Sequence, residues 1–135
     1  MTPLLTAIKS AFAGNSTLTA AWTGGLFANR APETAAMPYL VYFVQAATTT
    51  TSYGQKAQDT VVIRFVGTGV GLLATGQNME LLDAAFANTI LSLSSGQNFN
   101  VMRMTPPTPS MLAGVDKDGN EIWNWSSAYT YSVGY

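Results

Sequence analysis

Hydrophobic residues recur along this chain with two different periods, and the switches between them mark its elements. Leu4, Leu5, Ile8, Ala11 and Phe12 fall on one stripe at the helical period, with Thr2 placed to cap, Pro3 at the first helical position and Gly14 as the stop. After Asn15-Ser16 a short helical turn carries Leu18 and Trp22 and ends at Gly24-Gly25. A loop through Ala31-Pro32 and Met37-Pro38 leads to Tyr39–Val44, an unbroken aromatic and β-branched run that predicts a central strand buried on both faces. Thr48 to Thr51, then Ser52-Tyr53-Gly54, predict a hairpin into Asp59–Val66. There Val61, Ile63 and Phe65 share one face, and Val62, Arg64 and Val66 the other.

Gly67, Gly69, Gly71 and Gly76 predict a loose connection after that strand. Asn78 is placed to cap a second main helix with Glu80 and Asp83 in its first turn, where carboxylates complement the helix dipole. Its expected buried stripe is Leu82, Phe86, Ile90 and Leu93, and Ser94 to Asn98 end it. Phe99 to Thr105 predicts a strand, and Pro106-Pro107-Thr108-Pro109 a loop that breaks the sheet, because proline has no N–H to donate to a ladder. Asp116-Lys117-Asp118-Gly119-Asn120 predicts a tight hairpin turn. Beyond it Trp123, Trp125, Tyr129, Tyr131, Val133 and Tyr135 alternate with Asn124, Ser126, Ala128, Thr130 and Ser132. The aromatic set is expected to be a core face, since aromatics dominate core burial. The order of elements predicts one domain over residues 1–135 of α+β class: an antiparallel or mixed sheet of about four strands with two helices packed on one face.

Charge changes the picture from fold to setting. Charged residues make up 10% of the chain, against about 25% in ordinary soluble domains. A surface so poor in charge predicts cover by neighbouring protein, that is, a subunit of an assembly. Basic residues are few and scattered (Lys9, Arg30, Lys56, Arg64, Arg103, Lys117), so no footprint for gripping nucleic acid is visible. The start of the chain has no basic segment ahead of a continuous apolar run, which predicts a cytoplasmic product. No run of about 20 apolar residues suggests a membrane span.

Cysteine and histidine are absent, which removes Cys/His metal sites, thiol nucleophiles and histidine acid-base chemistry. Asp116, Asp118 and Asn120 have the spacing of the opening of a calcium loop, but Glu121 and Ser127 stand where its glycine and glutamate belong, so a turn is expected. Gly67, Gly69 and Gly71 invite a phosphate-binding reading, but Leu72 follows where the motif needs glycine. Glu80 with Asp83 is the remaining acid-base candidate, and helix-dipole placement explains it equally. The expectation is a protein that is no enzyme and takes no metal or cofactor.

The ordering of these motifs resembles the tail-terminator, or tail-completion, proteins of long-tailed bacteriophages. The resemblance is carried by the N-terminal helix, Ala31-Pro32, the Pro38–Val44 run, Val61–Val66, the helix from Asn78, the Asp-Gly hairpin and Tyr129–Val133. It implies a structural virion protein, assembled in the host cytoplasm, that forms a ring, typically hexameric, at the head-proximal end of the tail tube. Such a ring ends tube polymerisation and joins the tail to the head connector, while DNA passes through the lumen without specific binding. The implied partners are further copies of the chain, the tail tube protein and the connector. The candidate interface residues are Thr48, Thr49, Thr50, Thr51, Tyr53, Gly69, Leu72, Pro106 and Pro107, and the candidate lumen residues Arg30, Lys56 and Arg64. Two alternatives stay open: another head-tail joining or tail-tube subunit, or a carbohydrate- or nucleic-acid-binding module using Trp123, Trp125, Tyr129 and Tyr131.

Overall fold

Two amphipathic helices open the chain in a computed structural model that describes residues 2–92 and 98–134, apart from the side chains of residues 2, 52, 56, 57 and 134. α1 (Thr2–Ala13) buries Leu4, Ile8 and Phe12, the stripe its period predicts, with Leu5 and Ala11 at its margins. α2 (Ser16–Ala21) begins where the Asn15 side chain accepts the Leu18 N–H at 3.2 Å, and Leu18 and Trp22 enter the same core.

Among the described residues there are three helices and six strands rather than two helices on about four strands. The strands are β1 (Leu26–Ala28), β2 (Tyr39–Ser52), β3 (Gln55–Val70), β4 (Ile90–Ser92), β5 (Asn98–Val115) and β6 (Glu121–Gly134), and α3 (Leu72–Phe86) follows β3. They form one curled mixed sheet in the order β1-β2-β3-β6-β5-β4, antiparallel throughout except for β1 beside β2. β1 and β4 pair over three residues each. No alternation can declare itself over so short a span, and this is why the sequence pattern misses them.

Further expectations are corrected. The glycine-rich stretch is no loose connection: Gly67 and Gly69 lie in β3, and Gly71 is the N-cap of α3. Asn78 therefore sits inside α3, where its amide donates to the Ala21 carbonyl at 3.1 Å and ties α3 to α2. Glu80 and Asp83 lie beyond the first turn, and the helix stops at Phe86, so Ile90 is on β4 and 65% exposed, while Leu93 lies outside the described residues. The prolines do not end the sheet. Pro106, Pro107 and Pro109 lie inside β5, which has no outer neighbour beyond Val101 among the described residues and whose register against β6 shifts repeatedly from Arg103 to Gly114. An edge strand with bulges tolerates missing donors. Finally, β2 is buried on one face only: Leu40 and Tyr42 are in the core, whereas Tyr39, Val41 and Phe43 are half-buried.

The core lies between the helices and one sheet face. Val61, Ile63 and Phe65 of β3 stand opposite Tyr131, Tyr129 and Ser127 of β6. The Phe65 ring meets those of Tyr42, Phe86 and Tyr129 at centroid distances of 6.0, 5.6 and 5.8 Å. Burial of one such side chain contributes about 1.5–3 kcal/mol. At Gly67 and Gly76 the helices come close: a Cβ on Gly67 would strike the Trp22 ring and lie 2.7 Å from Met79 Sδ, and one on Gly76 would lie 2.6 Å from the Trp125 ring.

Candidate functional site

Side chains with chemistry to offer are mostly occupied by their own fold. The Asp116 carboxylate accepts the backbone N–H groups of Asp118 and Asn120, both at 2.9 Å, and Gly119 takes φ 83°, so the calcium-like spacing is a hairpin turn. Those hydrogen bonds, the one from Asn120 foremost, hold the Asp116 carboxyl below its usual range. Asp83 faces the sheet, where it accepts the Tyr129 hydroxyl at 2.9 Å and pairs with Arg103 at 3.0 Å. Burial pushes the Tyr129 and Tyr131 hydroxyls far above the ordinary tyrosine range. No group of three or more acidic residues capable of holding a metal occurs among the described residues.

What remains is surface, in three parts. The first is the sheet face turned away from the helices. Its β3 and β6 positions are Thr60, Val62, Arg64, Val66 and Thr68 beside Ile122, Asn124, Ser126, Ala128, Thr130 and Ser132. Arg64 is the one charged residue in that set, and it is already engaged: Nε donates to Gln45 Oε1 at 2.8 Å and a terminal nitrogen to Ser126 Oγ at 3.2 Å. Thr68 donates to Asn124 Oδ1 at 2.7 Å. Next to that pair a hollow of about 530 Å³ opens between Met37, Tyr39, Val41, Phe43 and Val66.

The second part is the far end of the β2–β3 hairpin. β1 leaves β2 after Tyr42, and the described pairing of β6 with β3 ends at Gln58. Thr48, Thr49, Thr50 and Thr51 are exposed, Thr49 donating to Asp59 at 2.6 Å, and Tyr53 stands fully exposed at the tip. The third part is the outer length of β5, which exposes Met102, Met104, Met111 and Leu112.

The other sequence candidates scatter. Gly69 is buried within β3, where an added Cβ would meet Thr75 Oγ1, and so presents no surface. Leu72 opens α3 and is 38% exposed. Pro106 is exposed and Pro107 half-buried in β5. Arg30 is exposed just beyond β1, and the Lys56 side chain lies outside the described residues. Of the aromatic stripe, Tyr129 and Tyr131 are fully buried, while Trp125 and Trp123 are half-buried, the latter donating to Glu121 at 3.0 Å. The sequence reading missed the Met-bearing β5 edge, whose signal was Met102, Met104 and Met111 spaced along a stretch with one charge, and the Asp83–Arg103–Tyr129 group, which joins three elements and leaves no local pattern.

No protein-family model and no curated protein matches the chain. Solved structures do share its fold. A chain in the virion of a native gene transfer agent particle superposes with a TM-score of 0.76 over 98% of this chain and 96% of its own, at 11% identity. A second solved chain superposes with a TM-score of 0.60 over 97% of this chain and 96% of its own, at 19% identity.

Proposed function

We propose that this chain is a structural protein of a phage-like virion, and that it forms a closed ring at the head-proximal end of a tail tube. There it ends tube polymerisation and joins the tail to the head connector. The observation that carries this reading is the end-to-end fold likeness to a chain of a gene transfer agent virion, in line with the order of motifs that resembles tail terminators. The surface supports it. Few charges, an exposed Met-bearing strand and a threonine-rich hairpin suit a subunit covered by neighbours. Copies, tail tube and connector are the partners, and the protein has no catalytic task.

The helix-free sheet face suits a lumen. Hydroxyl, amide and aliphatic side chains with a single, already bonded arginine let DNA slide past without being held. The burial of Tyr129 and Tyr131 speaks against a stacking platform for sugars or bases. Negative-stain imaging of the purified chain, alone and with tail tubes, tests the reading. Discrete rings that cap tube ends are expected. Open filaments would transfer the reading to a tube subunit, and a monomer that ignores tubes would overturn it.

A further inference from the structure

The two long outer strands of the sheet are bare in matching places. Ala46 is level with Val62, Thr130 and Met102 across β2, β3, β6 and β5, and Phe43 is level with Arg64, Ala128 and Thr105. Between those levels neither β2 nor β5 has an outer neighbour among the described residues, and neither stretch contains proline. On one side of this window β1 covers β2 at Leu40–Tyr42, level with the part of β5 that carries Pro106, Pro107 and Pro109. On the other side β4 covers β5 at Asn98–Asn100, level with Thr48–Thr50, and the hairpin runs on beyond Thr50. Outside the window β5 is closed by β4 on one side and carries proline on the other, whereas β2 is closed by β1 on one side and runs on bare into the hairpin arm on the other; within it both edges are open.

We propose that copies of this chain join side by side, the bare β2 edge of one pairing at the same height with the bare β5 edge of the next, so that the hairpin arm lies against the next copy's β4 and Tyr53 anchors it. This rests on the ring reading and supplies its contact. An unpaired strand edge is a template for another strand, and proteins that keep such edges free guard them with charge or proline. β2 has neither. Across the gap β5 carries one charge, Arg103, which Asp83 already neutralises, and exposes Met102 and Met104, side chains that adapt to a partner's surface. A contact between opposite edges of identical sheets is heterologous and propagates, and equal height keeps the rise per copy small, as closure into a ring requires.

Tyr53 suits this role. It occupies a two-residue turn with Gly54 at φ 52° and 77°, a conformation that favours asparagine or glycine. A tyrosine there is strained and touches nothing, and an isolated two-stranded ribbon is barely stable in water. On the neighbour's β4, Ile90 is exposed and offers an apolar landing.

The test mixes two crippled copies. One carries Ala46→Lys with Tyr53→Gly on the β2 side, the other Met102→Lys with Met104→Lys on the β5 side. In sedimentation velocity the wild type is expected to assemble beyond a dimer. Each variant alone should associate on the order of 30-fold more weakly, and the equimolar mixture should stop at a one-to-one dimer, which also shows that both variants fold. Variants that assemble like the wild type, or a mixture that stays monomeric, overturn the edge contact while leaving a wild-type ring in place. A wild type that is monomeric with and without tail tubes overturns the ring along with it.

Discussion

Single atoms decide much of this core. Gly67 lets Trp22 and Met79 reach the sheet, so Gly67→Ala should destabilise the fold by about 1–3 kcal/mol, read as a lower urea midpoint, because the Cβ must push on a packed ring. A midpoint at or above that of the wild type would mean that the ring yields freely. Tyr131 behaves oppositely. Its hydroxyl is buried with no hydrogen-bond partner, so Tyr131→Phe should leave stability equal or raise it by about 1 kcal/mol. The same residue shapes the alkaline limit. Burial raises the Tyr129 and Tyr131 hydroxyls above the unfolded value of about 10, so folding keeps them neutral. Their contribution is complete below pH about 10 and is lost above it, as the unfolded chain gives up protons that the folded chain retains. Denaturation series between pH 9 and 12 should therefore show declining stability, and Tyr131→Phe should flatten the decline by up to about 1.4 kcal/mol per pH unit.

Elements hold together through contacts that no local pattern announces. The amide of Asn78 bridges α3 to the last turn of α2, so Asn78→Ala should cost about 1 kcal/mol and weaken hydrogen-exchange protection in α2 before the sheet is affected. Uniform loss of protection would show that α2 has no separate attachment. Position alone made Asn78 look like a helix cap. The true boundary is Gly71, which caps with backbone and no side chain and so leaves a weaker trace in sequence. Likewise the prolines of β5 read as a break because an isolated sequence does not say which strand lies at an edge. β6 was legible from its alternation, down to Tyr129 and Tyr131 sharing a face with Trp125. Ser127, buried on that same face opposite Phe65, interrupts the aromatic pattern.

For the whole molecule, scarcity of charge is the property with reach. Under the ring reading, DNA meets Arg64 with its guanidinium already committed to Gln45 and Ser126, so fluorescence anisotropy at about 0.15 M salt should detect no binding of duplex DNA in the range typical of non-specific binders. Micromolar binding with a steep salt slope would instead mark the open sheet face as a nucleic-acid surface. The sequence by itself determined what local periodicity and chemistry can encode: the stripe of α1, the strand cores of β2, β3 and β6, the Asp116 turn, the absence of histidine and cysteine chemistry, and a surface short of charge. Tertiary structure alone decided the strand order, the two three-residue strands, the place of the prolines and glycines, and the level matching of the two bare edges. Those depend on residues far apart in the chain meeting at one height of a sheet, and hydrogen-bond register across four strands leaves no period in a linear sequence.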